Sequence, residues 1–268
     1  MPQNPEFLAA AIEISVRAGD MQLERLGGAV RIEKKGTIDL VTEVDLEVEA
    51  MFRGIIAERF PTHDVLAEEL QPEPSAGVPS PYCWVFDPID GTINYAHGLP
   101  IFCASLALEY DGQPIVGAVY DPTRRELFTA ERAMGARLNG TPLTVSETTL
   151  VCDALLCTGF PYDVHRTVDE VVGLFRDFVA QARAVRRLGS AALDLCYVAA
   201  GRLDGFWEQR LHPWDVAAGS LMLEEAGGRI TDFTGQPFHT RCSDIVASNG
   251  RIHDEMVAII KSFAAGRH

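Results

Sequence analysis

The chain has 268 residues, of which 47% are hydrophobic, and it carries 23 Lys and Arg against 38 Asp and Glu. This length and composition predict a folded protein with a large buried core, and they exclude a disordered or fibrous chain. The formal net charge of −15 repels nucleic-acid phosphates, and the nearest basic cluster, Arg183, Arg186 and Arg187, is too short to serve as a nucleic-acid track.

The amino terminus lacks the basic start and unbroken apolar core of a signal peptide, and no segment approaches the roughly 20 apolar residues of a membrane helix. Six cysteines form no CxxC pair and lie mostly in apolar segments, which predicts small buried side chains. We therefore expect a cytoplasmic protein in a reducing compartment. The cysteines are Cys83, Cys103, Cys152, Cys157, Cys196 and Cys242.

Hydrophobic periodicity predicts two helices in the first part of the chain, one ended by Gly27-Gly28 and one ended before Pro61. A stretch rich in Pro and Ser follows and predicts an exposed loop. In chain order, these elements are a helix over 5–26, a strand near 30–34, a helix over 43–60, a brief strand at 65–66 and the loop over 71–81.

The middle of the chain, from 101 to 146, predicts a large sheet, with a hairpin turn at Asn139-Gly140. Beyond residue 150, strands and helices alternate, as in layered α/β structure. We expect one unit over 1–268, in which 1–147 carries most candidate metal ligands. The later predicted strands cover 155–159, 184–188, 204–209 and 229–233, and the helices cover 163–181, 190–201, 215–226 and 253–263.

Two aspartates, Asp87 and Asp90, follow an apolar strand at Trp84–Phe86 that we expect Pro88 to end. Gly91-Thr92 then opens a turn whose backbone N–H groups are suited to an anion. An Asp before a Gly is very often only a turn residue, and that alternative stands for the motif alone. Carboxylates for a cation beside amides for an anion favour a metal-assisted phosphatase.

Three further acidic positions join this pair. Asp215 lies at a predicted helix start and is followed by Ala217, Ala218 and Gly219, which we expect to leave room for a ligand. Its alternative role is an N-cap. Glu68 is alternatively half of a solvated Glu pair, and Asp45 is explained by a capping box with Thr42.

Five motifs in order along the chain resemble the inositol monophosphatase family. They are KGTIDLVTEVD at 35–45, LAEE at 66–69, FDPIDGTINYAHGLP at 86–100, RRLGSAALD at 186–194 and FWEQRLHPWDVAAG at 206–219. The resemblance implies an α/β fold of layered type, the αβαβα sandwich of inositol monophosphatase and fructose-1,6-bisphosphatase. It also implies an active site between the halves 1–147 and 148–268, and a homodimer.

The implied activity is a Mg²⁺-dependent phosphomonoesterase that hydrolyses myo-inositol monophosphate and related polyol phosphates by direct attack of water. Alternatives within enzymes are phosphatases for fructose 1,6-bisphosphate, histidinol phosphate or nucleotide 3′-phosphates. An alternative outside enzymes is a regulatory role in which the same fold binds another protein. The expected partners are small phosphate esters. Neither nucleic acid nor a membrane is expected to bind.

The resemblance also implies residue roles. One Mg²⁺ is held by Glu68, Asp87 and the carbonyl of Ile89, and a second is held by Asp87, Asp90 and Asp215. A third, weaker ion is held by Glu68 and water, so each site binds two to three ions. Asp45 and Thr92 activate water, and the Gly91 and Thr92 amides hold phosphate. The oxygen-rich set agrees with the preference of Mg²⁺ for hard ligands.

The resemblance implies that Glu208 accepts hydrogen bonds from the ring hydroxyls of the substrate. It also implies substrate contacts from the turn Gly189, Ser190 and Ala191, and from Asp90 and Asp215. The alternatives are a surface Glu that pairs with Arg210, and a Ser190 that serves only as a helix N-cap.

Overall fold

The structure is a computed structural model that describes residues 4–28, 32–34, 40–70 and 80–266. Local sequence explains where the first helix begins, because the Asn4 side chain accepts the N–H of Glu6 at 3.0 Å and Pro5 occupies the first turn. The helices in these ranges are α1 (Pro5–Arg25), α2 (Glu43–Arg59), α3 (Thr92–Ala96), α4 (Val168–Val179), α5 (Ala191–Ala199), α6 (Pro213–Glu225) and α7 (His253–Ala265).

The strands of the amino-terminal part form a hairpin and a seven-stranded sheet. That sheet has the order β3-β4-β5-β6-β7-β8-β9, and all its pairs are antiparallel except β3 with β4. The strands are β1 (Ile32–Lys34), β2 (Leu40–Thr42), β3 (Asp64–Ala67), β4 (Tyr82–Asp90), β5 (Cys103–Tyr110), β6 (Gln113–Asp121), β7 (Glu126–Glu131), β8 (Gly135–Leu138) and β9 (Thr141–Pro142).

The carboxy-terminal part forms a five-stranded mixed sheet of order β11-β10-β12-β14-β13. The first three of these strands are parallel, and β14 pairs antiparallel with both of its neighbours. The strands are β10 (Leu155–Thr158), β11 (Ala184–Arg186), β12 (Gly205–Glu208), β13 (Arg229–Asp232) and β14 (Ile245–Ser248).

Helices and sheets stack in five layers, which confirms the predicted αβαβα sandwich. Helices α1 and α2 pack on one face of the large sheet, α5 and α6 fill the space between the two sheets, and α4 and α7 cover the outer face of the small sheet. Three buried clusters of apolar side chains occupy the resulting interfaces. The central layer therefore brings the starts of α5 and α6 to the end of β4.

Several element predictions need correction. Pro88 does not end its strand, because the missing N–H disturbs pairing only locally: the register shifts between Asp87 and Asp90, and Asp90 still pairs with Cys103. The predicted helix over 163–181 begins later, at Val168, after a 3₁₀ turn at Val164–Arg166. The sequence reasoning also missed α3 and β14. The hairpin at Asn139-Gly140 is confirmed, with φ of 48° and 82°.

The predicted burial of the cysteines is confirmed only in part. Cys103, Cys157 and Cys196 are buried as predicted, whereas Cys152 is exposed, because it lies in a one-turn 3₁₀ helix at the surface. Within the described ranges, every helix is too short or too polar to cross a membrane. Residues 71–79 of the predicted loop, 30–31 of the predicted strand and 35–39 of the first motif lie outside the described residues.

A buried histidine joins β13, β14 and α7. The ring of His253 contacts the Thr231 hydroxyl through Nε2 and the Ser248 hydroxyl through Nδ1, each at 2.9 Å. Thr231 Oγ1 donates its own proton to the Asp232 carbonyl, so Nε2 is the donor and Nδ1 accepts from Ser248. Burial, followed by the charge of Arg229, lowers the pKa of His253 to about 4.

We predict that this histidine makes stability depend on pH. Its pKa is about 4 in the folded state against 6.5 for the free side chain, so the unfolded chain binds the extra proton first as the pH falls. Relative to His253→Gln, the native chain should lose about 1–2 kcal/mol of unfolding free energy between these pH values. Urea melts at several pH values measure this, with exposed His165→Gln as control. Parallel pH profiles for the native chain and His253→Gln would contradict it.

Candidate metal and phosphate site

The candidate site is a cleft between the two sheets, located where β4 ends and where α3, α5 and α6 begin. Helix N-termini carry partial positive charge, so three of them facing one cleft favour an anionic ligand. Most of the predicted site residues line this single cleft. They are Asp90, Gly91, Thr92, Gly189, Ser190, Ala191, Glu208 and Asp215.

The Asp90 carboxylate links the two halves of the chain. It is the last residue of β4, and it accepts the backbone N–H groups of Ala191 at 3.2 Å and Ala192 at 2.7 Å, together with the Ser190 hydroxyl at 2.6 Å. Ser190 is the N-cap residue of α5, but its side chain caps no helix N–H. The cap is supplied from across the cleft by Asp90, which corrects the interpretation of Ser190 as a simple N-cap.

Asp87 precedes Asp90 by three residues in β4 and is almost completely buried, with 2% of its surface exposed. Its Oδ1 accepts the N–H of Ile89 at 3.0 Å. Burial, and then the negative charges of Glu68, Asp90, Asp215 and Asp45, raise the pKa of the Asp87 carboxyl well above its usual value. The other four predicted acidic residues thus lie near enough to Asp87 for their charges to act on its carboxyl.

Asp45 and Thr92 each keep a structural role at this site. Thr42 and Asp45 form the predicted capping box at the start of α2, with Asp45 Oδ2 accepting the Thr42 N–H at 2.8 Å. The Thr92 hydroxyl donates to the carbonyl of Ile89 at 2.9 Å. A carbonyl oxygen has two lone pairs, so Ile89 still offers one to a cation, and the Thr92 oxygen remains an acceptor.

Asp215 is the third residue of α6 rather than its N-cap. Its Oδ2 reaches back to the N–H of His212 at 2.7 Å. The sequence predicted that the small residues after Asp215 leave room for a ligand. This prediction is wrong, because these residues are in contact with other parts of the protein. A Cβ on Gly219 would lie 2.7 Å from the Cβ of Leu195, and Ala218 packs on Gly117 of β6. They allow α6 to pack closely against α5 and the large sheet.

Glu68 is positioned by a residue that sequence reasoning missed. Glu49 of α2 is completely buried, and its carboxylate accepts the N–H of Glu69 at 2.7 Å and of Leu70 at 3.0 Å. Arg53 donates to the same carboxylate at 2.8 Å and to the carbonyl of Leu70 at 2.6 Å. One helix therefore supplies Asp45 and fixes the turn after Glu68. The available signal was spacing, because Glu49 follows Asp45 by one helical turn.

Glu208, at the end of β12, lies against a glycine. A Cβ on Gly159 would be 2.0 Å from both carboxylate oxygens of Glu208. Burial raises the pKa of Glu208 well above its usual value, and the charges of Asp194 and Asp215 add to the increase. Asp194 is itself buried, accepts the Cys157 thiol at 3.2 Å and has no hydrogen-bond partner for Oδ2 among the described residues. Neither Gly159 nor Asp194 was a predicted site residue.

The donor set suits a hard divalent cation. In the described part of the chain, no three His, Cys, Asp or Glu side chains already form a compact metal cage. The carboxylates of Asp45, Asp90 and Asp215 instead accept helix N–H groups, and Asp87 remains surrounded by negative charge. The negative charges around Asp87 repel one another, and a bound divalent cation would remove that repulsion. The residues therefore fit Mg²⁺.

Comparison with known proteins agrees with this geometry. Residues 3–264 match the model of the inositol monophosphatase family. The chain belongs to the inositol monophosphatase family. Members of this family are metal-dependent phosphatases.

Individual relatives match over nearly the whole chain. The inositol-1-monophosphatase of Synechocystis sp. is 43% identical over 251 residues, covering 93% of this chain and 87% of that protein. The Nus factor SuhB of Pseudomonas aeruginosa is 40% identical over 260 residues, which cover 95% of this chain and 96% of that protein. A solved structure, the Thermotoga maritima IMPase, has a TM-score of 0.89 at 37% identity and covers 97% of this chain and 99% of that one.

We predict that Mg²⁺ stabilises the protein through Asp87. Millimolar Mg²⁺ should raise the melting temperature by about 3–10 °C, because it binds only the folded state. In Asp87→Asn this rise should be lost, while in EDTA the variant should melt no lower than the native chain, since one repelling charge is gone. The exposed Asp20→Asn serves as control and should respond to Mg²⁺ like the native chain. A native midpoint unchanged by Mg²⁺ would contradict the site.

Proposed function

We propose that the protein is a Mg²⁺-dependent phosphomonoesterase that hydrolyses myo-inositol monophosphate and related polyol phosphates, an inositol-phosphate phosphatase. The observation that carries this proposal is the cleft in which buried carboxylates around Asp87 lie beside the N-termini of α3, α5 and α6. Carboxylates bind the cation, and the N-termini and the turn at Gly91 favour the phosphate.

In this proposal, one Mg²⁺ would be held by Glu68, Asp87 and the Ile89 carbonyl. A second would be held by Asp87, Asp90 and Asp215, and Glu68 would assist a third. Bound Mg²⁺ lowers the pKa of a bound water and stabilises the charge that develops on the leaving oxygen. Among the described residues, Asp90 Oδ1 accepts one hydrogen bond, from Ala191, so it keeps a lone pair for this role.

Asp45 and Thr92 would accept and orient the attacking water. Both are buried, at 0% and 3% exposure, which excludes bulk water and strengthens their electrostatic effect on the reacting groups. The Thr92 hydroxyl donates to Ile89, so its oxygen presents lone pairs to a water molecule. Asp45, which the capping box holds in place, would take the proton.

Glu208 would recognise the alcohol through its hydroxyl groups. It lines the same cleft as the Gly189–Ala191 turn, beyond the metal ligands. A buried carboxyl that accepts or shares hydrogen bonds discriminates strongly for a polyol, because an apolar alcohol would leave it unpartnered. Phosphatases for fructose 1,6-bisphosphate, histidinol phosphate or nucleotide 3′-phosphates remain the alternatives. The proposal includes a cytoplasmic homodimer, as the family resemblance implies.

A second candidate function is a regulatory role through contact with another protein. Several relatives favour this role, because they are named Nus factor SuhB and not phosphatase. The relative from Pseudomonas aeruginosa is one of them. Within this chain all the proposed catalytic residues are present, so the two roles are compatible. A cellular function that survives in an inactive variant would establish the second role.

We predict that phosphate release needs both Mg²⁺ and Asp87. Asp87→Asn should lower kcat for inositol 1-phosphate by at least about 100-fold, and EDTA should abolish turnover. Asp87 is a better position to test than Asp90, because the amide introduced by Asp90→Asn would face the N–H groups of α5 and disturb the fold. Phosphate release from inositol 1-phosphate, fructose 1,6-bisphosphate and histidinol phosphate ranks the substrates. Full activity of Asp87→Asn would refute the mechanism.

We also predict that Gly159→Ala impairs recognition of the alcohol. The new Cβ would displace the Glu208 carboxylate, so KM for inositol 1-phosphate should rise about tenfold, while kcat/KM for phenyl phosphate, which has no ring hydroxyl, should change less than about threefold. Gly54→Ala is the matched control, since a Cβ there meets nothing within 4 Å. Equal losses on both substrates would show that Glu208 does not read the alcohol.

A further inference from the structure

A buried glutamine of α1 contacts the strand that carries the proposed metal ligands. Gln22 lies in the last turn of α1, on its buried face, and none of its surface is exposed. Its Nε2 donates to the backbone carbonyl of Pro88 in β4 at 2.7 Å, across 66 positions of the chain. Pro88 is buried and lies where β4 shifts register against β5, so strand pairing gives its carbonyl no partner there. Gln22 supplies the donor instead.

The peptide group between Pro88 and Ile89 is thereby held at both ends. A peptide bond is planar and trans, so its C=O and N–H groups point in opposite directions. The carbonyl accepts the Gln22 amide, and the N–H of Ile89 donates to Asp87 Oδ1 at 3.0 Å. The next carbonyl, that of Ile89, accepts the Thr92 hydroxyl at 2.9 Å. This one peptide therefore helps to orient two proposed Mg²⁺ ligands, the Asp87 carboxylate and the Ile89 carbonyl.

A hydrogen bond to α3 fixes the end of α1 from which Gln22 extends. The Tyr95 hydroxyl donates to the backbone carbonyl of Gln22 at 2.9 Å. Carbonyls in the last turn of a helix lack helical N–H partners, so this hydroxyl supplies one. Tyr95 is buried and belongs to α3, which begins at Thr92. The Gln22 amide therefore keeps a fixed position relative to α3 as well as to β4.

Stability alone does not account for a glutamine at this position. The Gln22 side chain is completely buried, yet its Oε1 has no hydrogen-bond partner among the described residues. A buried polar atom without a partner destabilises the folded state, and this cost offsets much of what the bond to Pro88 contributes. A methionine at 22 has a similar length and no such atom, so we expect a chain that carries it to fold.

We propose that Gln22 is a positioning residue that adapts the site to Mg²⁺. The inference rests on the proposed function, in which Asp87 and the Ile89 carbonyl hold the first ion. Mg²⁺ demands a near-ideal octahedral arrangement of ligands, whereas Ca²⁺ tolerates irregular geometry. Without the Gln22 amide, the peptide between Pro88 and Ile89 loses one of its two restraints. The site should then bind Mg²⁺ less tightly and keep most of its affinity for Ca²⁺.

The test measures the binding of each cation alone by calorimetry, in the native chain and in Gln22→Met. The substitution should raise the Kd for Mg²⁺ about 10-fold, while the Kd for Ca²⁺ changes less than about threefold. At saturating Mg²⁺, kcat for inositol 1-phosphate should stay within about threefold of the native value, because Gln22 contacts no proposed catalytic group.

Ser15→Ala is the matched control. Ser15 lies on the same buried face of α1, and its hydroxyl donates to the Ala118 carbonyl of β6 at 3.4 Å. The substitution therefore also removes one buried hydrogen bond between α1 and the large sheet, but at a different strand, and both cation affinities should stay native. Gln22→Asn withdraws the amide by one methylene. It should give the same selective loss as Gln22→Met, and it decides the question if Gln22→Met does not fold.

The results separate the possible explanations. A loss of Mg²⁺ affinity that spares Ca²⁺ and is absent from Ser15→Ala supports the inference. Native affinities in the Gln22 variants overturn it, and so does an equal loss for both cations, since a general weakening of the fold affects the two alike.

Failure of the proposed function would look different from failure of this inference. The native chain would then release no phosphate from inositol 1-phosphate in Mg²⁺, whereas the calorimetric comparison would still decide whether Gln22 adapts the site to Mg²⁺. A native chain that binds no Mg²⁺ would refute both.

Discussion

The contact between Asp90 and the start of α5 sets the geometry of the whole cleft. Asp90 ends β4 of the large sheet, and its carboxylate accepts two backbone N–H groups and one hydroxyl from the helix that lies between the sheets. Charge-assisted hydrogen bonds of this kind contribute about 1.5–3 kcal/mol each. Because the same residue ends strand β4 and caps helix α5, the acidic residues of the first half and the Gly189–Ala191 turn of the second half are held in a fixed relative position.

The same principle makes a buried acidic cluster tolerable. Asp45, Asp90 and Asp215 each satisfy the N–H groups at the start of a helix, α2, α5 and α6 respectively. Each helix N-terminus carries a partial positive charge, roughly half an elementary charge, which stabilises the ionised carboxylate. Asp87 has no such helix, and its carboxylate accepts the N–H of Ile89 instead. It therefore lacks the stabilisation that Asp45, Asp90 and Asp215 receive from a helix, which supports its proposed role as the shared ligand.

In the part of the cleft that the carboxy-terminal half forms, two glycines leave room for two charged groups of opposite sign. Gly159 leaves room for the Glu208 carboxylate and Gly189 leaves room for the Arg187 guanidinium. Both charged side chains thus lie directly against backbone, where a Cβ would displace them. In the proposed function Glu208 would accept hydroxyl groups of the alcohol, so substrate selectivity would depend on this part of the cleft rather than on the proposed metal ligands.

The sequence by itself determined most helices and strands, the capping box at Thr42 and the acidic motif at Asp87 and Asp90, because periodicity and capping chemistry act over a few residues. Tertiary structure decided what those residues contact. The bond from Ala191 to Asp90 spans 101 positions, and Glu49 reaches Glu69 over 20, so no local pattern marks either partner. The small residues after Asp215 serve helix packing rather than a ligand for the same reason: their neighbour, Leu195, comes from a different helix.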